Sequence, residues 1–587
     1  MSLAVSTRDA ARPGWFQRFA GRWGKLAPAL LFLLVLILYP VGKLLSLSFQ
    51  GPGGVFSLQA YERLFASSVY VQVMVVTLKI SFWTTLATVA ISYPVARAIA
   101  RLPGATRNRL MFWVQLSFWC SFLIRTFGWM VLLNRNGFIS QTLQYLQIVD
   151  GPIDLLYSAP SVIVGMTHAM VPLCILTMVP VMEGIDENLS KAGMTLGGRP
   201  GSVFWRIYFP LSLPGVTAGA LLVFITSLGF FIVPAFLGGR QETMLAQLII
   251  TQVQELLNWS FAGALAAMML AAALVSCWIY DRLFGISTIA GGSAQAGAGR
   301  IRDLGLAILG VVGDIAGRVS AVAQRVLGKR ACAALLPGFC WLVIGFLVLP
   351  TLLVIPLAFT SSQFLEFPPP GYGLGWFRTY FESPLWLQAT LRSFGVAFVT
   401  ALAATAIGGF AALALAHSRT RWGGLIFAFF LAPMIVPRIV IAVGLFYLFA
   451  RMGLIATDLG LIIGHTVLAI PFTLVTIAAV LKTYDQRLDQ AAATLGANRV
   501  RTLTGVTIPL VKGGLVAAFL FAFITSFDEL TIAIFVSGGV KTTLPKQMWD
   551  DMILQLNPTL AAVSVVVFVV VTAMLLLAER FRSSSSS

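Results

Sequence analysis

What this chain lacks first is charge. Of its 587 residues only 11% are Asp, Glu, Lys or Arg, against about 25% in ordinary soluble domains. A soluble chain of this length would form several domains, and this little charge could not wet their surfaces. Histidine is nearly missing as well: His168, His417 and His465 are too few for a convincing metal site. Five cysteines (Cys120, Cys174, Cys277, Cys332 and Cys340) show no ligand spacing. They lie inside or beside apolar runs and read as small buried hydrophobes. These shortages exclude a soluble enzyme, a disordered chain and a disulfide scaffold.

What is abundant is apolar sequence, 58% of the chain. A membrane span needs ~20 mostly apolar residues. Such stretches fall near 26–48, 71–100, 109–133, 157–182, 213–237 and 261–285. Six more fall near 332–358, 386–416, 424–451, 458–482, 512–537 and 558–579. The expected fold is therefore an all-α polytopic membrane protein with about twelve transmembrane helices embedded in a lipid bilayer. Residues 1–25 are polar and basic, and no small-x-small cleavage site follows, so the first apolar run reads as a retained span.

The formal net charge is +18, which in a soluble chain would suggest nucleic acid. With the N-terminus inside, 28 of the 40 Lys and Arg fall in inner segments and seven in outer loops. The positive-inside rule then places both termini in the cytoplasm, and the basic balance is a topology signal that calls for no nucleic-acid partner.

The chain repeats itself. Gly165, Thr167 and Pro172 match Gly464, Thr466 and Pro471 at an offset of 464 − 165 = 299. The same offset relates Gly197 to Gly496, Pro210 to Pro509 and Ser227 to Ser526. Upstream, Gln72 pairs with Gln388 and Leu86 with Leu402, at 388 − 72 = 316. Both halves start inside, so the two six-helix repeats are parallel, related by an axis along the membrane normal. The expected division is a first repeat over 1–285, a Gly/Ala-rich cytoplasmic linker over 286–331, a second repeat over 332–582 and a disordered serine tail over 583–587.

Between the fourth and fifth spans of each half lies a cytoplasmic loop of one design, "IDENLSKAGMTLGGRPGSVFWRIYFPLSLPG" and "YDQRLDQAAATLGANRVRTLTGVTIPLVKGG". Asp186 and Asp485 are good helix N-caps, and Gly197 and Gly496 stand where a helix would end in a left-handed residue. Each loop thus frames a short helix, with Leu189, Ala192 and Leu196 on one face in the first copy. Leu488, Ala491 or Ala492, and Leu495 take that face in the second. A second short helix follows, which Pro210 and Pro509 are expected to close. A helix this short is marginal alone in water, so the matched apolar faces imply two equivalent docking partners.

These loops resemble the signature of ABC-importer permeases: Glu-Ala-Ala, three residues, Gly, nine residues, Ile-x-Leu-Pro. Here the positions are Lys191, Ala192, Gly193, Gly197, Ile207 and Pro210, then Gln490, Ala491, Ala492, Gly496, Val506 and Pro509. Lys191 and Gln490 replace the acidic first residue. The resemblance implies two permease subunits fused in one chain, each short helix coupling to one of two copies of an ABC ATPase subunit. ATP and Mg²⁺ would sit on those partners. This chain has no GxxxxGK(S/T) phosphate loop, "LGKR" at Leu327–Arg330 lacking the leading glycine and the hydroxyl residue. It reads as a transport subunit of a bacterial inner membrane, not an enzyme, with no cofactor of its own.

Charges inside spans are costly and tend to face a cavity or a partner. The outstanding pair is Asp528–Glu529, which the first half replaces with Gly229–Phe230. Lining a translocation path, it would suit a cationic amine; alternatively it forms an internal ion pair, with Arg438 or Arg125 as candidate partners. Segments Ser227–Gly239 and Thr543–Asp551 resemble the spermidine/putrescine branch, which implies uptake of a polyamine or related organic cation. An extracytoplasmic solute-binding protein would then dock on the outer loops. Trp259, Trp376 and Trp549 also suit interfacial anchoring. The alternatives are a secondary transporter driven by an ion gradient, or ABC import of ferric iron, an opine or an aminophosphonate.

Overall fold

The computed structural model describes residues 26–284 and 328–584 apart from 365, 417–421 and 540, together with positions 311, 315 and 318. The basic N-terminal segment, most of the expected linker 286–331 and the end of the serine tail from residue 585 lie outside the described residues. The fold is 81% helical, and among the described residues extended backbone pairs only as isolated bridges.

The first half begins with α1 (Ala27–Leu47) and the long α2 (Ser68–Ala100). The third expected span is two helices, α3 (Gly104–Trp119) and α4 (Phe122–Leu133). α5 (Ala159–Glu183) comes next, followed by the short loop helix α6 (Glu187–Thr195) and by α7 (Pro200–Leu228). A break separates α7 from α8 (Ile232–Leu237), and α9 (Leu245–Gln254) and α10 (Trp259–Phe284) complete the half. The second half repeats this order. Its helices are α11 (Lys329–Ala358), α12 (Pro384–Ala416), α13 (Gly423–Ile435), α14 (Arg438–Met452) and α15 (Asp458–Thr483). They continue with α16 (Arg487–Thr494), α17 (Arg499–Phe527), α18 (Thr531–Val536), α19 (Leu544–Leu554) and α20 (Thr559–Ser584).

Nine helices among the described residues are long and apolar enough to cross a membrane alone, and eleven spans result if each bent pair counts as one. Those pairs are the third spans, α3–α4 bent by 91° and α13–α14 by 92°. The expected spans 109–133 and 424–451 are thus not continuous rods. Pro437 explains one break, since it lacks the N–H that a continuing helix would use; in the other, Ser121 caps the N-terminus of α4 instead. The twelfth expected span is α20, whose described apolar part, Thr559–Met574, is shorter.

The fifth spans also differ from expectation. α7 and α17 begin in the loop that follows the fourth span and run through Pro210 and Pro509, which do not close a helix there. A wide turn absorbs each proline: Phe204–Tyr208 and Leu503–Thr507 form i→i+5 turns, so the missing N–H is not demanded. At the far end the expected spans 213–237 and 512–537 break after Leu228 and Phe527.

Lipid tails are as apolar as leucine, so helices in a bilayer associate through close packing of small residues. α12 and α15 do so at Gly408, where an added Cβ would collide with Thr473 Oγ1. Thr473 Oγ1 donates to the Ala404 carbonyl at 2.9 Å. At the matching place in the first half (408 − 316 = 92) Ser92 of α2 donates to the Val171 carbonyl of α5.

Each half lends its first helix to the other. α1 packs on α14, and α11 on α3 and α4. Ser117 and His168 both bond the Leu347 carbonyl of α11, at 3.2 and 3.1 Å.

Candidate functional site

The two loops between the fourth and fifth spans fold alike. Asp186 accepts from the Asn188 N–H and Asp485 from the Arg487 N–H, both at 2.9 Å, so each aspartate stops the chain before its short helix. At the other end Gly197 and Gly496 have φ of +83° and +84°, the left-handed geometry that glycine adopts without Cβ strain. The Gly198 N–H returns to the Gly193 carbonyl and the Ala497 N–H to the Ala492 carbonyl, closing each helix.

Neither α6 nor α16 has a buried residue. Leu189 and Leu488 are 48% and 44% exposed, and Leu196 and Leu495 both 88%. Ala192 lies with the first pair and Ala491 with the second, while Ala492 turns inward to half-burial. Gly193, the counterpart of Ala492, is held so close that an added Cβ would meet Ile207 at 2.6 Å. The exposed face is therefore Leu488, Ala491 and Leu495.

Different contacts fasten the two copies. In the second loop one oxygen of Asp489 accepts from the Tyr484 hydroxyl at 2.6 Å and from Thr507 Oγ1 at 3.0 Å. This ties α16 to the wide turn that opens α17. Burial first, and then the Asp489 carboxylate, raises the Tyr484 phenol pKa above its ordinary value, so the hydroxyl stays a donor. In the first loop the end of α2 serves. Arg97 lies over the Phe204 ring at 4.3 Å and Arg101 over Tyr208 at 4.7 Å, while Arg101 pairs with Glu187 at 3.7 Å.

Deeper in the bundle, the breaks of the third and fifth spans meet across the two halves. Asp528 stands beside Ser121 at the start of α4. Its counterpart Gly229 lies against the start of α14, where an added Cβ would be 3.2 Å from Pro437 Cβ and 3.7 Å from the Arg438 nitrogen. Asp528 also lines a small recess with Trp119, Ser121, Phe527, Pro545 and Met548. Glu529 is 2% exposed and turns the other way. Its oxygens accept from the Ile532 N–H at 2.9 and 3.1 Å and from the Ala533 N–H at 3.3 Å, capping α18. His465 Nε2 stands 3.5 Å from Glu529, and His465 Nδ1 bonds Ser526 Oγ at 2.8 Å.

The structure thus separates the acid pair that adjoins in sequence. No ion pair within 4.0 Å joins either carboxylate to Arg125 or Arg438 among the described residues. Arg125 is buried, donating to the Ala169 carbonyl at 3.2 Å and lying 4.5 Å from the Phe122 ring centre. Sequence reasoning missed His465, Ser526 and Ser121. Only Pro437 carried a signal for the breaks, because a serine or glycine in an apolar run is tolerated inside membrane helices. Of the tryptophans, Trp549 packs edge-on against Phe231 and Phe236 of the other half. Trp259 stacks on Phe446, and Trp376 donates to the Ser362 carbonyl.

With this geometry in hand, comparison with known proteins is direct. Residues 26–287 and 404–584 match the binding-protein-dependent transport system inner membrane component, together well over half of the chain. The chain belongs to this family, twice over: it is an inner-membrane permease of the ABC-importer type, with two permease modules in one polypeptide. Like its relatives it is a transport subunit and not an enzyme. The spermidine/putrescine transport system permease protein PotB of Escherichia coli is 31% identical over 210 residues, covering 36% of this chain and 76% of that protein. PotC of Haemophilus influenzae is 28% identical over 242 residues, covering 41% of this chain and 94% of the relative. Among solved structures, a bacterial ABC transporter importing the acidic polysaccharide alginate covers 46% of this chain and 98% of its own, with 17% identity and a TM-score of 0.39.

Proposed function

We propose that this chain forms the membrane path of an ATP-driven importer, with α6 and α16 each seated in a groove of one of two ATPase copies. The observation that carries the reading is the twofold recurrence of one exposed device: a capped short helix, an apolar face, and a left-handed glycine at its end. Exposed leucines at 88% are unfavourable in water and call for a partner. ATP and Mg²⁺ belong to those partners. The positive-inside count supports cytoplasmic termini and loops, and an extracytoplasmic solute-binding protein on the outer face.

The solute in this reading is a small polar molecule bearing an amine. A polyamine or related organic cation is supported by the PotB and PotC relatives and by a carboxylate, Asp528, beside Trp119 and Phe527 in the recess. Purification from the native host under mild detergent, with partners identified by mass spectrometry, tests the class. An ATPase subunit is expected with the wild type and lost with Leu196→Asp plus Leu495→Asp. Its absence from the wild-type complex would remove the docking claim. Uptake of labelled spermidine, dependent on ATP and abolished in the Asp528→Asn variant, tests the solute.

A further inference from the structure

The short helices α8 and α18 stand at matched places, one after each broken fifth span, and each is touched by the other half. Gln254 Nε2 at the end of α9 donates to the Ile534 carbonyl of α18 at 2.8 Å. Trp549 of α19 lies 5.3 Å from Phe231 and 5.0 Å from Phe236, ring centre to ring centre. A solute that passes between the two halves must part these contacts.

At their far ends both helices are fastened to their own half in the same way. The Leu237 carbonyl accepts from Ser161 Oγ at 2.7 Å, and its counterpart, the Val536 carbonyl (536 − 299 = 237), accepts from the Ala456 N–H at 2.8 Å. Each helix also packs on a glycine of its own fourth span. An added Cβ on Gly165 would stand 2.5 Å from Leu237 Cδ1, and one on Gly464 would stand 2.9 Å from Ile532 Cγ2.

The starts of the two helices differ. Glu529 caps α18 through the Ile532 and Ala533 N–H groups. A buried carboxylate needs every favourable contact it can gather. Among the described residues, His465 is the one basic side chain within 4.0 Å of Glu529, with Nε2 at 3.5 Å. The Nδ1 of His465 is tied in turn to Ser526 Oγ at 2.8 Å. The first half keeps the serine, Ser227, but has Met166 and Phe230 at the places of His465 and Glu529. Ser227 Oγ is buried without a hydrogen-bond partner. Pro234 stands at the place of Ala533 (533 − 299 = 234) and has no N–H to give. No side chain caps α8. Rings hold its start instead: Phe230 lies 5.3 Å from Phe122 of its own half, and Phe231 rests on Trp549 of the other.

Apolar contacts have no fixed direction, whereas hydrogen bonds to a cap fix a helix start in one place. Once the halves part, α18 loses Gln254 but stays hydrogen-bonded to its own half at both ends. α8 loses Trp549 and stays hydrogen-bonded at one end. We propose that the path opens unequally: α8 swings as the moving leaf, and α18 stays as a fixed post. Ser526, His465 and Glu529 are then positioning residues that hold the post, a device the first half does not share. This rests on the importer reading above, in which the solute passes between the halves.

The test uses the chain with its five cysteines replaced by alanine, purified in nanodiscs with its ATPase partner. A single cysteine then replaces Phe231 or its counterpart Leu530 (530 − 299 = 231), both 3% exposed. Labelling by a water-soluble maleimide is followed with and without ATP, Mg²⁺ and vanadate. The labelling rate of Phe231→Cys is expected to rise about tenfold with nucleotide while that of Leu530→Cys stays flat. Adding His465→Met should make Leu530→Cys respond as well, and His465→Gln, which keeps a donor near Glu529, should largely restore its protection. Equal rises at both sites without these changes, or a rise at Leu530→Cys alone, would overturn the proposal. A Leu530→Cys site that stays flat in His465→Met would remove His465 from the device. No response at either site in a complex that hydrolyses ATP would overturn the gating role of the short helices. A chain that recovers no ATPase would instead overturn the importer reading. Melting of each variant without nucleotide separates a freed helix start from a loosened fold. Glu529→Gln, which keeps one acceptor oxygen, supplies the milder change if His465→Met melts early.

Discussion

Pro350 packs directly on Gly128: an added Cβ on the glycine would stand 2.6 Å from the proline carbonyl oxygen. The contact joins the first helix of the second half to the third span of the first. Its mirror is Gly444 against Pro40, where the corresponding distances are 3.0 Å to the carbonyl carbon and 3.1 Å to the oxygen. Each half thus completes the other, which explains why two permease modules remain mutually fastened within the bilayer as well as along the chain.

This pair of contacts yields the first prediction. Gly128→Leu and Gly444→Leu each force a side chain into backbone, and overpacking of this kind costs about 1–3 kcal/mol. Both should lower the melting temperature in detergent, and Gly128→Ala should do so more than Gly444→Ala. Equal stability of the wild type and Gly128→Leu by fluorescence-detected size exclusion would contradict the exchange of first helices.

At Gly197 and Gly496 the backbone is left-handed. A β-branched residue there costs about 1–2 kcal/mol of backbone strain, and the strain falls on the end of each docking helix. Gly197→Val and Gly496→Val should insert normally yet stimulate the ATPase poorly when solute and binding protein are present. Full transport in both variants would refute the docking role.

Asp489 gathers two donors that join the second loop to α17. Asp489→Ala leaves both hydroxyls without that acceptor, a loss of about 0.5–1.5 kcal/mol per bond. Limited proteolysis should cut the α16 loop faster in the variant, with the α6 loop unaffected, because the first copy is fastened by Arg97 and Arg101 instead. Identical cleavage patterns would show that the loop is held elsewhere.

The two acids should separate on mutation. Glu529→Ala strips a buried cap from α18 and should lower thermal stability by about 1–3 kcal/mol, with Glu529→Gln milder because one acceptor oxygen remains. Asp528→Asn should reduce uptake more than expression, since its carboxylate faces the recess. Uptake unchanged after neutralising both together would take them out of the path.

Much of this protein could be read from the chain because bilayer physics leaves few choices. Backbone groups in lipid must be satisfied internally, so long apolar runs become helices, and basic residues mark the inner side. The recurrence of Gly197 and Gly496, each before a proline thirteen residues on (210 − 197 and 509 − 496), announced the paired loops from local conformational demands alone. Which of Ala491 and Ala492 faces outward was open, because short helices read alike until one side is packed.

Tertiary structure decided the rest. An apolar run gives no sign of a 90° break unless a proline stands in it, and of the two third spans only the second has prolines, Pro433 within α13 and Pro437 at the break. At the break at Cys120–Ser121 the Ser121 side chain caps α4, and Asp528, about four hundred positions away, lines one recess with it. Adjacent Asp528 and Glu529 look like one site in sequence. The end of α17 turns Asp528 toward Ser121 of the other half, and Glu529 toward α18, whose first backbone donors it meets. Arg438 reads in sequence as a partner for those acids. Only the packing shows that it forms no ion pair within 4.0 Å with either acid among the described residues and is left exposed.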